Sequence, residues 1–121
     1  MTIALDHMSV PTRDKVKSAQ FYADLFGVTY EGPRRDYAPI IVNEGLGLHF
    51  EDSENIEERH YAFRMSADEF QHVLDRLSAA GIPHGNSTRT LDGSVYERAG
   101  LRGFFFKDPN GHSVECITKQ E

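Results

Sequence analysis

The strongest constraint in this sequence is that it matches itself at an offset of 53 to 54 residues. His7-Met8-Ser9-Val10 and His60-Tyr61-Ala62-Phe63 each open a short alternating segment. A polar break follows each one, Pro11-Thr12-Arg13-Asp14 in the first half and Ser66-Ala67-Asp68-Glu69 in the second. Both halves then carry an amphipathic stretch that ends in glycine and a β-branched residue, Gly27-Val28 and Gly81-Ile82. Each coincidence alone is weak. All of them in one order and spacing imply two copies of one supersecondary unit.

The amphipathic stretches predict helices over about 13–26 and 67–80. In the first, Val16, Ala19, Tyr22, Ala23 and Phe26 recur at the spacing of one helical face; in the second, Phe70, Val73, Leu74 and Leu77 do so. Ser66 with Glu69 forms a capping box, and Gly27 and Gly81 suit the left-handed residue that ends a helix. Strands are expected at Ile3–Val10, 28–31, Tyr37–Val42 and Leu46–Phe50, then at Arg59–Met65, 82–85, Leu101–Phe106 and Ser113–Thr118. Asp108-Pro109-Asn110-Gly111 is a tight-turn signal that makes the last two strands a hairpin. The polar segment 86–100 reads as a long loop of the kind that serves as a lid or substrate loop. Each half is thus β-α-β-β-β: repeat 1 at about 3–50, an acidic linker at about 51–58, and repeat 2 at about 59–118. The fold class is α+β, with a curved mixed sheet and helices on its outer face.

Composition narrows the function. Thirteen Lys and Arg against nineteen Asp and Glu give a net charge of −6, with no basic stripe interleaved with aromatics. That disfavours nucleic acid and anionic membranes as partners. The longest apolar run, Ala38 to Val42, is far short of a bilayer span, the start MTIALDHM lacks the features of a signal peptide, and a single cysteine excludes an internal disulfide. A cytoplasmic protein with a small-molecule or protein partner is the expectation.

Six histidines are present. His72 is expected on the helix surface, His84 at a strand edge, and His112 bonded to the loop after the tight turn. Strand parity singles out others, because alternate side chains face opposite sides of a sheet. With Met8 and Val10 packed under the helices, His7 and Ser9 face the other way. Packing Tyr61, Phe63 and Met65 leaves His60, Ala62 and Arg64 opposite, and packing Val114 and Cys116 leaves Ser113, Glu115 and Ile117 opposite. The same logic puts Gly47 and His49 on that face. Two imidazoles and a carboxylate suit a first-row divalent metal with positions left open for substrate. Their wide separation in sequence makes this weak by itself, the alternative being two strand-edge histidines and a solvated glutamate.

Leu5-Asp6-His7-Met8-Ser9-Val10 with Ser18-Ala19-Gln20-Phe21-Tyr22-Ala23-Asp24-Leu25-Phe26-Gly27 resembles the opening of the vicinal oxygen chelate superfamily, the glyoxalase, bleomycin-resistance and extradiol-dioxygenase group. The run Gly103 to Glu115 resembles its F-x-DP-x-G-x-x-x-E ending. This resemblance implies two βαβββ modules forming a cup around one divalent ion (Mn, Fe, Ni or Zn), commonly in a homodimer. It matches His7, His60 and Glu115 to the metal ligands. Where four-ligand members carry a fourth-strand glutamate this chain has Gly47, so His49 is either a fourth ligand or an acid–base group. Ser9 beside His7 resembles the fosfomycin-modifying thiol transferases and would orient a substrate oxygen; the basic C-terminal segment of that group is missing. Arg64 and Arg102 are candidates for substrate anions or for surface salt bridges, Tyr96 for a lid, and Phe105 for an apolar wall or for the core. Lyase or isomerase, thiol-transferase and dioxygenase chemistry all stay open, as does a metal-free drug-binding cup.

Overall fold

A computed structural model describes residues 2–119. The chain divides into two compact units, Met1–Glu57 and Glu58–Glu121.

The first unit contains β1 (His7–Thr12), α1 (Lys15–Phe26), β2 (Ala38–Asn43) and β3 (Leu46–Asp52). Its sheet has three strands in the order β1-β3-β2. β1 runs parallel to β3 and β2 antiparallel to it. Asp14 caps α1, its side chain accepting from the Lys17 amide, and Gly27 ends the helix at φ 73°. Met8, Val10 and Thr12 turn inward on β1, and Leu48 and Phe50 on β3. Tyr22 of α1 stacks on Phe50 at 5.1 Å, and both are fully buried. Burial of one such side chain is worth about 1.5–3 kcal/mol, so this contact fixes which sheet face the helix covers.

The second unit contains β4 (His60–Arg64), α2 (Ala67–Ala79), β5 (His84–Gly85), β6 (Tyr96–Arg98), β7 (Leu101–Lys107) and β8 (Ser113–Lys119). Its sheet runs β4-β8-β7-β5, with β6 also paired to β7. β4 is parallel to β8 and β7 antiparallel to it, which repeats the β1, β3 and β2 relation of the first unit. The Ser66–Glu69 capping box forms as the sequence predicts. Phe70 of α2 meets Phe104 of β7 edge-on at 5.0 Å, so Phe104, Phe106, Val114 and Cys116 face the helix. In the tight turn, Asp108 Oδ1 accepts from the Asn110 and His112 amides, and Gly111 takes φ 89°.

Several local expectations are corrected. Residues 3–6 are not strand: Ile3 and Leu5 are exposed, and β1 starts at His7 and runs through Pro11 to Thr12. The proline is tolerated because β1 pairs on one side only within its unit. No strand forms at 28–31, where the chain enters the irregular stretch around Gly32 and Pro33, so the first half has two strands after its helix. The strand expected at 82–85 shrinks to His84–Gly85, and the expected loop 86–100 contains β6. Of the apolar residues expected on the inner face of α1, Val16 is exposed, while Ser18 and Leu25 are buried. Among the described residues, no helix is long and apolar enough to cross a membrane.

Candidate functional site

The unhelical face of the second sheet gathers the predicted residues of that half. His60 pairs with Ser113 and Ala62 with Glu115 across β4 and β8, and Glu115 pairs with Phe105 across β8 and β7. All face away from Phe104 and therefore away from α2. His60 Nε2 lies 3.1 Å from Glu115 Oε1. The second carboxylate oxygen accepts a 2.5 Å hydrogen bond from Tyr96 Oη. Phe105 closes the group, its ring 5.6 Å from His60 and 5.9 Å from Tyr96. Arg98 lies 5.2 Å from the Tyr96 ring centre.

Tyr96 is held there by β6, which sets it opposite Gly103. A Cβ at Gly103 would meet the Tyr96 ring and hydroxyl at 2.2–2.4 Å, so only glycine lets the ring lie flat across β7. Burial first, and then the bond to and charge of Glu115, push the Tyr96 phenol up to about 12. It stays protonated at neutral pH and serves as a donor. Gly103 has no side chain to mark it, and β6 lies in a polar stretch, so the sequence carries no local signal for this partnership.

The unhelical face of the first sheet carries His7, Ser9, Gly47, His49 and Glu51. His7 pairs with Gly47 and Ser9 with His49. Asp6 Oδ1 lies 2.8 Å from His7 Nδ1. The His49 ring is sandwiched, 4.4 Å from His7 at 17° and 4.3 Å from Tyr37 at 15°. Ser9 Oγ donates to Glu51 Oε2 at 2.6 Å. Burial, followed by the charge of His7, holds His49 below the usual imidazole range against the opposing pull of Glu51 and Asp6. Sequence reasoning missed Asp6, Tyr37 and Glu51. Asp6 adjoins His7, and Glu51 shares the strand parity of His49, so both were open to discovery; Tyr37 was not.

The remaining predicted residues are placed as follows. Arg64 is exposed on the same face of β4 as His60. Arg102 is on the opposite face of its sheet, its guanidinium 4.9 Å from the Phe70 ring centre, so it joins the helix packing and not the Glu115 cluster. Phe105 is half-buried on the Glu115 face and is therefore wall, not core. His72 is exposed, and His84 is half-buried with its ring edge-on to Phe104. His112 is fully buried and accepts the Arg59 amide on Nδ1.

The donor chemistry fits a divalent ion. Two neighbouring ligands, each about 2.1 Å from one ion, stand about 3 Å apart when their bonds meet at a right angle. The 3.1 Å between His60 Nε2 and Glu115 Oε1 matches. Asp6 engages His7 Nδ1 and leaves Nε2 available, the usual carboxylate support of a metal-binding histidine. His49 does not fit as a co-ligand of His7, because lone pairs lying in two stacked parallel rings cannot meet at one point. In neither unit do three His, Cys, Asp or Glu side chains gather to hold an ion among the described residues.

The family model described as Glyoxalase/Bleomycin resistance protein/Dioxygenase superfamily matches residues 4–116. Among solved structures, the chain is similar to Oxidase ChaP-H2, with a TM-score of 0.91 and 34% identity over 98% of this chain and 95% of that one. It is 29% identical to the metallothiol transferase FosB of Lysinibacillus sphaericus (strain C3-41), covering 98% of this chain and 84% of that protein. It is 24% identical to the glutathione transferase FosA of Serratia marcescens, covering 95% and 80%.

Proposed function

Because the chain belongs to the Glyoxalase/Bleomycin resistance protein/Dioxygenase superfamily, we propose that it is a divalent-metal-dependent enzyme that chelates two adjacent oxygens of a small substrate and stabilises the oxyanion formed there. His7, His60 and Glu115 are the ligands in this reading. The observation that carries it is the His60–Glu115 pair at 3.1 Å, locked by Tyr96. When bound, a Mn, Fe, Ni or Zn ion supplies Lewis acidity, and iron or manganese a path for electrons as well.

The chain's own groups do the rest. Asp6 fixes the His7 tautomer. Tyr96 holds one Glu115 oxygen so that the other is presented beside His60 Nε2. Phe105 limits water on that side. The Ser9 hydroxyl donates its hydrogen bond to Glu51, so it meets a substrate hydroxyl as an acceptor. His49 is neutral at pH 7 and acts as acid–base group, not fourth ligand. Arg64, exposed on the His60 face of β4, meets an anionic substrate group in this reading. Arg102 has no part in this reading.

Oxidase chemistry is favoured over thiol transfer, since the likeness to Oxidase ChaP-H2 is greater in identity than the likeness to either transferase. Assembly as a homodimer is part of the proposal. The test loads the protein with iron(II) or manganese(II) and measures oxygen uptake and thiol consumption on a panel of small molecules bearing adjacent oxygens. Metal-dependent oxygen uptake that is abolished by Glu115→Ala supports the reading. Thiol consumption with fosfomycin in place of oxygen uptake would move the chain to the transferases.

A further inference from the structure

The unhelical face of the first unit carries a trough that the ligand assignment does not use. A cavity of about 480 Å³, within the range of small-molecule pockets, is bordered by β2, by His49 and by the irregular stretch before β2. Two rings of one aromatic stack line it, Tyr37 and His49, 4.3 Å apart, with His7 stacked against His49 as well. Pro39 and Ile41 line the same cavity. Ile41 is 70% exposed, an unusual state for a large apolar side chain in the middle of a strand.

Gly47 lies between His7 and Ile41 in one register row. A Cβ there would sit 3.6 Å from His7 Cβ and 3.7 Å from His49 Nε2, which is ordinary contact. Anything larger would occupy the sheet surface over which His49 Nε2 lies. Glycine therefore leaves bare sheet between the stack and Ile41. Arg34 also lines the cavity, and its backbone is bound to Tyr37 in both directions at 2.8 and 3.0 Å, which ties its position to the stack. Glu31 borders the cavity too, and its carboxylate repels an anion on its own side.

We propose that this trough binds the substrate's body, and that the body is a planar aromatic ring carrying an anionic oxygen group that faces Arg34. A flat ring suits a site with a stacked aromatic wall and an aliphatic side. A guanidinium matches a carboxylate by charge and by its fork of donors. Calling the ligand a substrate rests on the metal-enzyme reading above; the binding itself does not.

The test uses 1-hydroxy-2-naphthoate, a fluorescent planar acid with its hydroxyl and carboxylate on adjacent ring carbons, titrated into chelator-treated, metal-free protein. Saturable binding at one site is expected. Gly47→Ala should change affinity less than about twofold, since its Cβ makes only ordinary contacts. Gly47→Leu, beside the lining residues His49 and Ile41, should weaken it at least about tenfold by crowding that side of the trough. Arg34→Gln should cost at least about fivefold for the acid and leave binding of uncharged 2-naphthol unchanged. Tyr37→Leu, at a half-buried position, provides a second stack variant if Gly47→Leu does not fold. No binding by the wild type, or equal binding by Gly47→Leu or Tyr37→Leu and by Arg34→Gln, overturns the proposal. Metal uptake without probe binding sinks the trough alone, and probe binding without metal uptake sinks only the metal reading.

Discussion

Replacing Gly103 by alanine isolates the device that holds Glu115. The new Cβ would stand 2.2 Å from Tyr96 Cζ and Oη and 2.4 Å from Cε2, against about 3.5–4.0 Å for relaxed contact. The ring must therefore withdraw by more than about 1 Å, and the 2.5 Å bond to Glu115 breaks. A hydrogen bond to a charged acceptor is worth about 1.5–3 kcal/mol, and Tyr96 is only half-buried, so a loss of about 2 kcal/mol is expected. For a chain of 121 residues this lowers Tm by about 8 °C. Because φ at Gly103 is not positive, the backbone accepts alanine and the clash is the whole cost. In a Tyr96→Ala background the same substitution should then change stability by less than about 0.5 kcal/mol. Urea unfolding of the four proteins in this cycle measures the coupling. A Gly103→Ala cost that is the same with alanine as with tyrosine at 96 refutes the reasoning.

Other consequences follow from the same structure. Hydrogen bonds from the Ser66 backbone and side chain hold the Glu69 carboxyl below its usual range, so its contribution is complete above the unfolded value near pH 4.3 and is lost as pH falls through the lower folded value. Glu69→Gln should therefore cost about 0.5 kcal/mol at pH 7, and the gap to wild type should close in acid, as read by thermal melts from pH 7 to pH 2.5. Burial pushes the Cys116 thiol up to about 12, so an aromatic disulfide reagent at pH 8 should label it only on unfolding. Asp14→Ala removes the α1 cap and should cost about 1 kcal/mol by denaturant titration, while Asp14→Asn should cost little.

What the sequence revealed, and what it hid, divides along local and long-range causes. The end of α1 and the start of α2 were legible because Gly27 and the Ser66–Glu69 box act on amides within a turn, whereas the Asp14 cap, which also acts within a turn, went unread. The final hairpin was legible for the same reason, through Asp108 and Gly111. Parity placed His60, Glu115 and Phe105 on one face because each lies in a strand whose opposite face has clear apolar anchors. The same alternation puts Arg102 on the opposite face from Gly103 and Phe105, with Phe104, and was not applied to it; its guanidinium packs over the Phe70 ring. β6 was hidden because its pairing depends on a hole at Gly103 and an acceptor at Glu115, both distant in sequence. Ile3 to Asp6 looked like strand by alternation, yet the register with β3 begins only at His7 and Gly47. The stack of Tyr37, His49 and His7 has no sequence period at all.

The central claim is the ligand set. Elemental analysis of protein purified without chelator or affinity-tag histidines, set beside His7→Ala, His60→Ala and Glu115→Ala variants that keep wild-type circular dichroism, tests it most directly. The account predicts about one divalent ion per wild-type chain and a fall of at least about tenfold in metal affinity in each variant. Metal content unchanged in all three variants, or a wild-type protein that takes up no divalent ion on reconstitution, contradicts it.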